Sequence, residues 1–272
     1  MIRYLFAGVG LAAAIAAGAS VAQTSNTALK AGALKAGALK NGAPAAGKLH
    51  GYLAKNDIDG AAVIGPPPAL DSARGKADRA IYLENRALAG TPRWTQAIKD
   101  NDLWDGGAAQ RYACALGKAV GPKSTPVTYR LMQRIELDVR TVGTPPKNLY
   151  NRTRPPIGDA LPICVPREDW MKTNASYPSG HAMTGWAWAL ALSEIAPDEA
   201  GPLMAAGAAI GDSRVICGVH YQSDVEAGRK LAAAMVARLH ADPVFRHDLV
   251  AARAELAHAH APAPAGSCPV GD

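Results

Sequence analysis

A tight turn that enters a helix is predicted at Pro178-Ser179-Gly180-His181, because an apolar, helix-compatible run from Ala182 to Ala196 follows these turn residues. The N-terminus of a helix presents free backbone N–H groups and favours anions, which makes this turn a candidate phosphate cradle. His181 lies at the edge of that cradle, where it can act as a general acid toward a leaving group. In isolation, a Ser N-cap followed by a solvated histidine would give the same four residues.

A second string, Ser213-Arg214-x5-His220-x3-Asp224, combines a cation with an oriented histidine. Residues four apart share one face of a helix, so Asp224 is expected to lie beside His220. A carboxylate there accepts the N–H of one ring nitrogen and leaves the other nitrogen with a free lone pair, which makes the histidine a nucleophile. Taken alone, these two residues would more simply be a surface His/Asp pair.

The third string, Lys147-x6-Arg154-Pro155, adds two cations. Pro155 and Pro156 are expected to end the helix that carries Lys147, leaving Arg154 at a helix terminus or in a loop. Phosphoryl transfer requires positive charge around the equatorial oxygens of the phosphoryl group. Together with Arg214, this string supplies three such charges without a metal ion.

The three strings match the signature of the type 2 phosphatidic-acid phosphatase superfamily, with every signature position present in order. Further stretches resemble the soluble bacterial class A non-specific acid phosphatases, and the resemblance covers roughly residues 60 to 255. These stretches are Gly65 to Pro68, Asp71 to Arg86, Thr91 to Trp94, Ser176-Tyr177, Gly185 to Ala187, Ser213 to Gly218 and Ser223 to Arg229. The resemblance implies an all-α fold, a single helical-bundle domain of the acid phosphatase and vanadium haloperoxidase type.

The resemblance also implies a role for each site residue. His220 is similar to the nucleophile that forms a phosphohistidine, Asp224 to its orienter, and His181 to the acid that protonates the leaving alcohol. The positions that look like the phosphate-binding set are Lys147, Arg154, Ser179, Gly180 and Arg214. The family implies no cofactor and no metal ion. Pro156 replaces the usual Phe and Tyr221 the usual Trp, and both departures bear on leaving-group preference.

The function implied is that of a secreted or periplasmic acid phosphatase acting on small soluble phosphomonoesters, with inorganic phosphate or vanadate as inhibitors. A vanadate-dependent haloperoxidase is an alternative, because the same cradle can hold vanadate with His220 as its axial ligand. A non-catalytic periplasmic anion-binding protein is a third reading, although such a protein has no use for an oriented His/Asp pair and a second histidine. The sequence leaves open the natural substrate, the balance between hydrolysis and transfer to alcohols, and whether the chain forms a homo-oligomer.

An acidic pH optimum is expected from the two histidines, which need opposite protonation states. His220 must be neutral to attack phosphorus, whereas His181 must be protonated to donate to the leaving oxygen. Asp224 should raise the pKa of His220, whereas the neighbouring cations should lower the pKa of both rings, and a bound phosphate should partly restore the acid form of His181. The expected kcat/KM profile is a bell with its optimum at roughly pH 5 to 6.5.

Four segments are predicted along the chain. Residues 1–22 resemble a secretory signal, with cleavage near Ala22-Gln23. Residues 23–60 are assigned to a linker, because Ala-Leu-Lys-Ala-Gly repeats at 28–42 fit no heptad or helical stripe; an amphipathic membrane-surface helix is the alternative. Residues 61–260 form the catalytic domain, and 261–272 a flexible tail. Predicted helices are Ala73 to Leu88, Val127 to Val139, Ala182 to Ile195, Pro202 to Ile210 and Val225 to Leu239, with no convincing strand.

The composition argues against some classes of binding partner. The net charge of +6 comes from scattered Lys and Arg without an aromatic-interleaved patch, which argues against nucleic-acid binding and suits anionic substrates. After the signal, no apolar run reaches the length of about 20 residues that a membrane span needs. The four cysteines are an even set in an exported chain and fit no zinc motif. Two of them lie in the family-like core, so we pair Cys164 with Cys217 and Cys114 with Cys268; buried free thiols are the alternative.

Overall fold

The computed structural model describes residues 49–266 and Cys268, and this part of the chain is all-α, as predicted. It contains no strand; an isolated bridge joins Lys118 and Pro262. The predicted signal segment and the repeats at 28–42 lie outside the described residues. The α-helices found within them are α1 (Gly60–Ile64), α2 (Ala73–Glu84), α3 (Pro92–Lys99), α4 (Ala109–Leu116), α5 (Pro126–Tyr150), α6 (Trp170–Thr173), α7 (Gly180–Ile195), α8 (Ala200–Ile216), α9 (Gln222–Leu239) and α10 (Pro243–His258), with 3₁₀ turns at Asn85–Leu88 and Pro197–Glu199.

Helix α7 is the centre of the bundle and begins at the predicted turn. Ser179 is its N-cap, and the Ser179 hydroxyl accepts the N–H of Ala182. The helix is apolar on nearly all sides, which is typical of a buried helix, and α5, α8, α9 and α10 pack against it. Trp188 is fully buried and donates its indole N–H to the carbonyl of Met132 on α5, at 2.8 Å. Burial of such a side chain contributes about 1.5–3 kcal/mol or more.

Helices α7 and α8 approach each other closely because glycines face one another between them. A Cβ atom on Gly207 would lie 2.6 Å from the Cβ of Ala189, and one on Gly185 would lie 3.0 Å from Ile210. Protein interiors leave no room for an added methyl group at such distances. This packing fixes the turn at the start of α7 relative to Ser213 and Arg214, which lie in the last turn of α8.

Helix α5 is longer than predicted. We expected a helix from Val127 to Val139, but the helix continues to Tyr150 and includes Pro145 and Pro146. Each internal proline removes a backbone donor, which is why the sequence favoured an earlier end. Tertiary packing compensates, since Val142 and Pro146 are buried against the bundle.

The end of α5 is also not where the prolines predicted it. Asn151 adopts the left-handed conformation (φ 42°) and donates its N–H to the carbonyl of Lys147 at 3.0 Å, which closes the helix. The expectation that Pro155 and Pro156 end this helix was therefore wrong. Arg154 lies in the loop that follows, as expected.

Both ends of the described chain pack on the domain. The backbone N–H groups of Tyr52 and Leu53 donate to the carboxylate of Asp138 at 2.9 Å, and Leu53 is buried. The packed domain therefore starts upstream of residue 60, in a stretch expected to be linker. At the other end, where we expected a flexible tail, Ala119 donates to the carbonyl of Ala261 and Ala263 to that of Gly117.

Two disulfides are present, and they are the predicted pairs. Cys114 is bonded to Cys268, which fastens the C-terminal stretch, and Cys164 is bonded to Cys217 at the end of α8. Among the described helices, none has both the length and the apolar character needed to cross a membrane.

Candidate active site

His220 lies in the short connection between α8 and α9, where almost all of its side chain is buried. Its Nε2 atom is 3.1 Å from Nη1 of Arg154. A guanidinium can only donate hydrogen bonds, so Nε2 must be the acceptor and must carry a lone pair. The ring proton is then on Nδ1, which lies 3.4 Å from Oδ2 of Asp224. Arg154 and Asp224 together select the tautomer that the sequence predicted.

Asp224 is fully buried in the first turn of α9, and its own carboxylate is fixed from two directions. Oδ2 accepts the backbone N–H of Tyr221 at 2.8 Å, and Oδ1 accepts a hydrogen bond from Nη1 of Arg152 at 2.6 Å. The contact between His220 Nδ1 and Oδ2 is longer than a hydrogen bond, and Nδ1 has no hydrogen-bond partner among the described residues. Catalytic hydrogen bonds are often long in the free enzyme and shorten in the complex with substrate.

The three predicted cations converge on this histidine. Arg154 also donates Nη1 to the carbonyl of Val219 at 2.9 Å and Nε to that of Asn174 at 2.7 Å. Lys147 Nζ donates to the carbonyl of Ala175 at 2.7 Å. Arg214 Nη1 donates to Oδ1 of Asn101 at 3.0 Å, and its Nε has no partner in the described part of the chain. Each cation is held by neutral oxygens, so its positive charge is not cancelled by a directly bound carboxylate.

Burial shifts the pKa of each cation downward, and crowding of positive charge adds to the shift of Lys147 and Arg214. Burial, followed by the charge of Arg154, lowers the pKa of Lys147 to about 7. Burial lowers the pKa of Arg154 to about 10, and burial together with Arg154 lowers that of Arg214 to about 9. An anion placed among the three side chains would relieve this mutual repulsion, which is the electrostatic property expected of a phosphate site.

His181 lies in the first turn of α7 and is partly buried. Its Nε2 donates to the carbonyl of Asn101 at 2.9 Å, so Nδ1 is the nitrogen left to exchange a proton. Asn101 therefore binds the second histidine through its backbone and Arg214 through its side chain. The backbone N–H groups of Gly180 and His181 belong to the first turn of the helix, where intrahelical acceptors are lacking. Ser179 keeps its hydroxyl hydrogen for donation, while its backbone N–H donates to the carbonyl of Asp224.

Both histidines favour the neutral form in this arrangement. Burial, then the charge of Arg214, lowers the pKa of His181 to about 3, although its bond to Asn101 opposes the shift. Burial, then Arg154, places the pKa of His220 well below its ordinary value. The unprotonated ring is therefore the favoured form of His220. A negative charge bound next to His181 would oppose this lowering of its pKa.

Several residues that hold the site were missed from the sequence. Asp100 accepts the hydroxyl of Ser213 at 2.5 Å and is paired with the buried guanidinium of Arg111. Arg86 donates to the carbonyls of Val215 and Ile216 and so closes the end of α8. Arg86 lies in a stretch quoted for its resemblance, but nothing in local spacing connects residues near 86 or 100 with residues near 215. Arg152 stands at one of the positions that the motif leaves unspecified between Lys147 and Arg154, so the motif did not point to it.

Of the two departures from the family pattern, Tyr221 lies next to the site. The Tyr221 ring lies under the guanidinium of Arg152, 4.2 Å from its central carbon, and lines a cavity of about 610 Å³ that Arg154 also borders. The carbonyl of Pro156 accepts a hydrogen bond from Arg167 at 2.7 Å. No group of His, Cys, Asp and Glu side chains suited to a metal ion occurs in residues 49–266.

The assembled groups can carry out group transfer to a histidine. The lone pair of His220 Nε2 lies beside Arg154, the charges of Lys147 and Arg214 act on the same ring, and a second histidine, His181, lies in the first turn of α7. This set can hold a tetrahedral oxyanion, attack its central atom and protonate a leaving oxygen.

Comparison with curated relatives identifies the chain as an acid phosphatase of the PAP2 superfamily. The family model of the PAP2 superfamily matches residues 139–247. The chain is 40% identical to a non-specific acid phosphatase of Providencia stuartii over 210 residues, which is 76% of this chain and 85% of that protein. It is 38% identical to a non-specific acid phosphatase of Salmonella typhimurium (70% and 77% of the two chains) and 36% identical to an acid phosphatase of Zymomonas mobilis (71% and 74%). The crystal structure of a transmembrane PAP2-type phosphatidylglycerolphosphate phosphatase from Bacillus subtilis is similar over 62% of this chain and 85% of that one, with 20% identity and a TM-score of 0.44.

Proposed function

The chain belongs to the bacterial non-specific acid phosphatases of the PAP2 superfamily, and we propose that it hydrolyses soluble phosphomonoesters through a phosphohistidine on Nε2 of His220. The observation that carries this proposal is the pair of contacts made by the His220 ring. Arg154 marks Nε2 as the atom with the lone pair, and Asp224 faces the protonated Nδ1.

In the first half of the reaction, Nε2 of His220 attacks phosphorus and the ester P–O bond breaks. The electron pair of that bond goes to the leaving oxygen, which takes a proton from Nδ1 of His181. Lys147, Arg154 and Arg214 bind the equatorial oxygens, where negative charge is concentrated in the transition state. The positive charge that develops on the His220 ring is stabilised by Asp224.

In the second half, neutral His181 accepts a proton from water, and the water oxygen attacks phosphorus. The N–P bond breaks, its electron pair returns to Nε2, and phosphate leaves. An alcohol that takes the place of water would receive the phosphoryl group instead, so transfer to alcohols is part of the proposal. Inorganic phosphate and vanadate would bind the same position as inhibitors. The cations belong to the protein, so activity is expected to survive EDTA.

The location proposed is the periplasm or the exterior of the cell. Two disulfides support it, because such bonds persist in oxidising compartments. Accessibility of the activity in intact cells, before and after osmotic shock, would test this part separately.

The test of the mechanism is to trap the phosphoenzyme. Protein quenched in alkali during turnover of a ³²P-labelled monoester should carry acid-labile label on His220. His220→Ala should abolish both label and turnover, whereas His240→Ala is the matched control, since His240 lies on the surface beside Glu194. Near-normal turnover by His220→Ala would refute the mechanism. Bromide oxidation with vanadate and peroxide, measured on the same preparation, distinguishes the haloperoxidase alternative.

A further inference from the structure

Arg152 is a buried cation with no place in the reaction described so far. Its side chain is about 6% exposed, and both of its terminal nitrogens donate hydrogen bonds. Nη1 donates to Oδ1 of Asp224 at 2.6 Å and to the hydroxyl of Ser223 at 2.8 Å, while Nη2 donates to Asp78 at 2.8 Å. Its guanidinium face covers the ring of Tyr221. These contacts direct both terminal nitrogens at Asp224, Ser223 and Asp78.

The contacts of Arg152 instead determine the state of Asp224. Oδ1 is occupied by Arg152, so the carboxylate cannot rotate, and Oδ2 stays directed at the Tyr221 N–H and at Nδ1 of His220. Burial raises the pKa of Asp224, and the charge of Arg152 is the largest influence that lowers it. The other groups that act on this carboxylate are Lys147 on α5, Arg154, Tyr177 and Tyr221, whose own pKa values it raises, and Ser176, which donates to it.

We propose that Arg152 is a positioning residue for the phosphohistidine reaction: it holds Asp224 charged and turned toward His220 without touching the substrate. The inference rests on the proposed function, because Asp224 matters to catalysis only if His220 is the nucleophile. Asp78 is the outer anchor of the same guanidinium and lies on α2, so it connects an N-terminal helix to the site.

The test compares three variants by their pH profiles. Arg152→Gln removes the charge beside Asp224, and an opposite charge at such a distance typically shifts a carboxyl pKa by about 1 to 3 units. The acidic limb of the kcat profile should therefore move to higher pH by about 1 unit or more. At a pH on the acidic side of the shifted limb, kcat should be about tenfold or more lower than in the unmodified protein. KM for a phosphomonoester should stay within about twofold, because the three phosphate-binding cations remain. Arg152→Lys keeps the charge and should restore the acidic limb.

Asp78→Asn is the matched control, because it removes a contact of Arg152 while leaving Arg152 beside Asp224. It should leave the acidic limb in place even if the melting temperature falls. Equal loss of kcat in Arg152→Gln and Asp78→Asn, without movement of the limb, would show a purely structural role and overturn the inference. If Arg152→Gln does not fold, the double variant Arg152→Gln/Asp78→Asn is measured instead, because it also removes the carboxylate that Arg152→Gln leaves unpaired. The same shift of the acidic limb is then required.

An active His220→Ala protein would overturn the proposed function itself. If His220→Ala is inactive and the acidic limb of Arg152→Gln does not shift, the inference alone is overturned.

Discussion

Anion affinity should be controlled by the ionisation of Lys147. Burial and the nearby charge of Arg154 lower the pKa of Lys147 to about 7, whereas those of Arg154 and Arg214 stay at about 10 and about 9. Only the protonated lysine contributes charge to the phosphate site. At pH 6 about nine-tenths of the molecules carry that proton and at pH 8 about one-tenth, so the dissociation constant of a dianion should rise about tenfold between the two values.

Sulfate is the suitable probe, because it remains a dianion from pH 4 to 9 while phosphate does not. Its dissociation constant is measured by calorimetry at pH 6, 7 and 8 at constant ionic strength. Lys147→Arg should remove most of the pH dependence, since the guanidinium stays charged over this range. Lys172→Arg is the control, because Lys172 is exposed and paired with Asp169. A constant affinity in the unmodified protein, or the same tenfold loss in Lys147→Arg, would refute the assignment.

Three further predictions concern the acid, a close backbone contact and a buried carboxylate. His181→Asn should lower kcat most for alkyl phosphates and least for p-nitrophenyl phosphate, whose leaving group hardly needs a proton; an equal loss for both would remove His181 from the acid role. Gly218→Ala should cost about 2–4 kcal/mol of unfolding free energy in urea titration, because φ is +78° there and a Cβ would overlap the guanidinium of Arg86; a change below about 0.5 kcal/mol would contradict this. Burial raises the pKa of Asp138 to about 6, so the protonated form is favoured in the folded state and stability falls as pH rises from about 4 to about 6, by on the order of 3 kcal/mol. Asp138→Asn keeps an acceptor for the two N–H groups and should remove this dependence of the melting temperature, whereas an unchanged slope would point to another titrating group.

The parts of the site that could be predicted from the sequence are those whose residues lie close together along the chain. His220 and Asp224 are one helical turn apart, and the turn at Ser179 is marked by its own N-cap and glycine. Such features follow from backbone geometry over a few residues. The structure brings these side chains together with Lys147, Arg154 and Arg214 as predicted, while their roles in the reaction stay proposals.

The supports of the site were not visible because they join residues far apart in the chain. Asp100 meets Ser213 across 113 positions, and Arg86 meets Ile216 across 130. Only the packing of α8 against the segments near 86 and 100 creates these contacts. The end of α5 was predicted wrongly for a related reason: Pro145 and Pro146 disfavour a helix locally, but burial of the residues around them extends α5 beyond Val139 to Tyr150.

Under the mechanism proposed above, the contact between Arg154 and Nε2 of His220 has a consequence for the selectivity of the nucleophile. In the vocabulary of synthetic chemistry, the guanidinium is a protecting group on the imidazole, because its N–H occupies the lone pair that would react. An oxyanion removes this protection by drawing the N–H to its own oxygen, so binding of charge and exposure of the nucleophile are one event. A neutral electrophile, such as an uncharged ester, offers nothing to which the guanidinium can turn. Discrimination for phosphate thus begins at the reactive nitrogen itself, before any part of the leaving group is recognised.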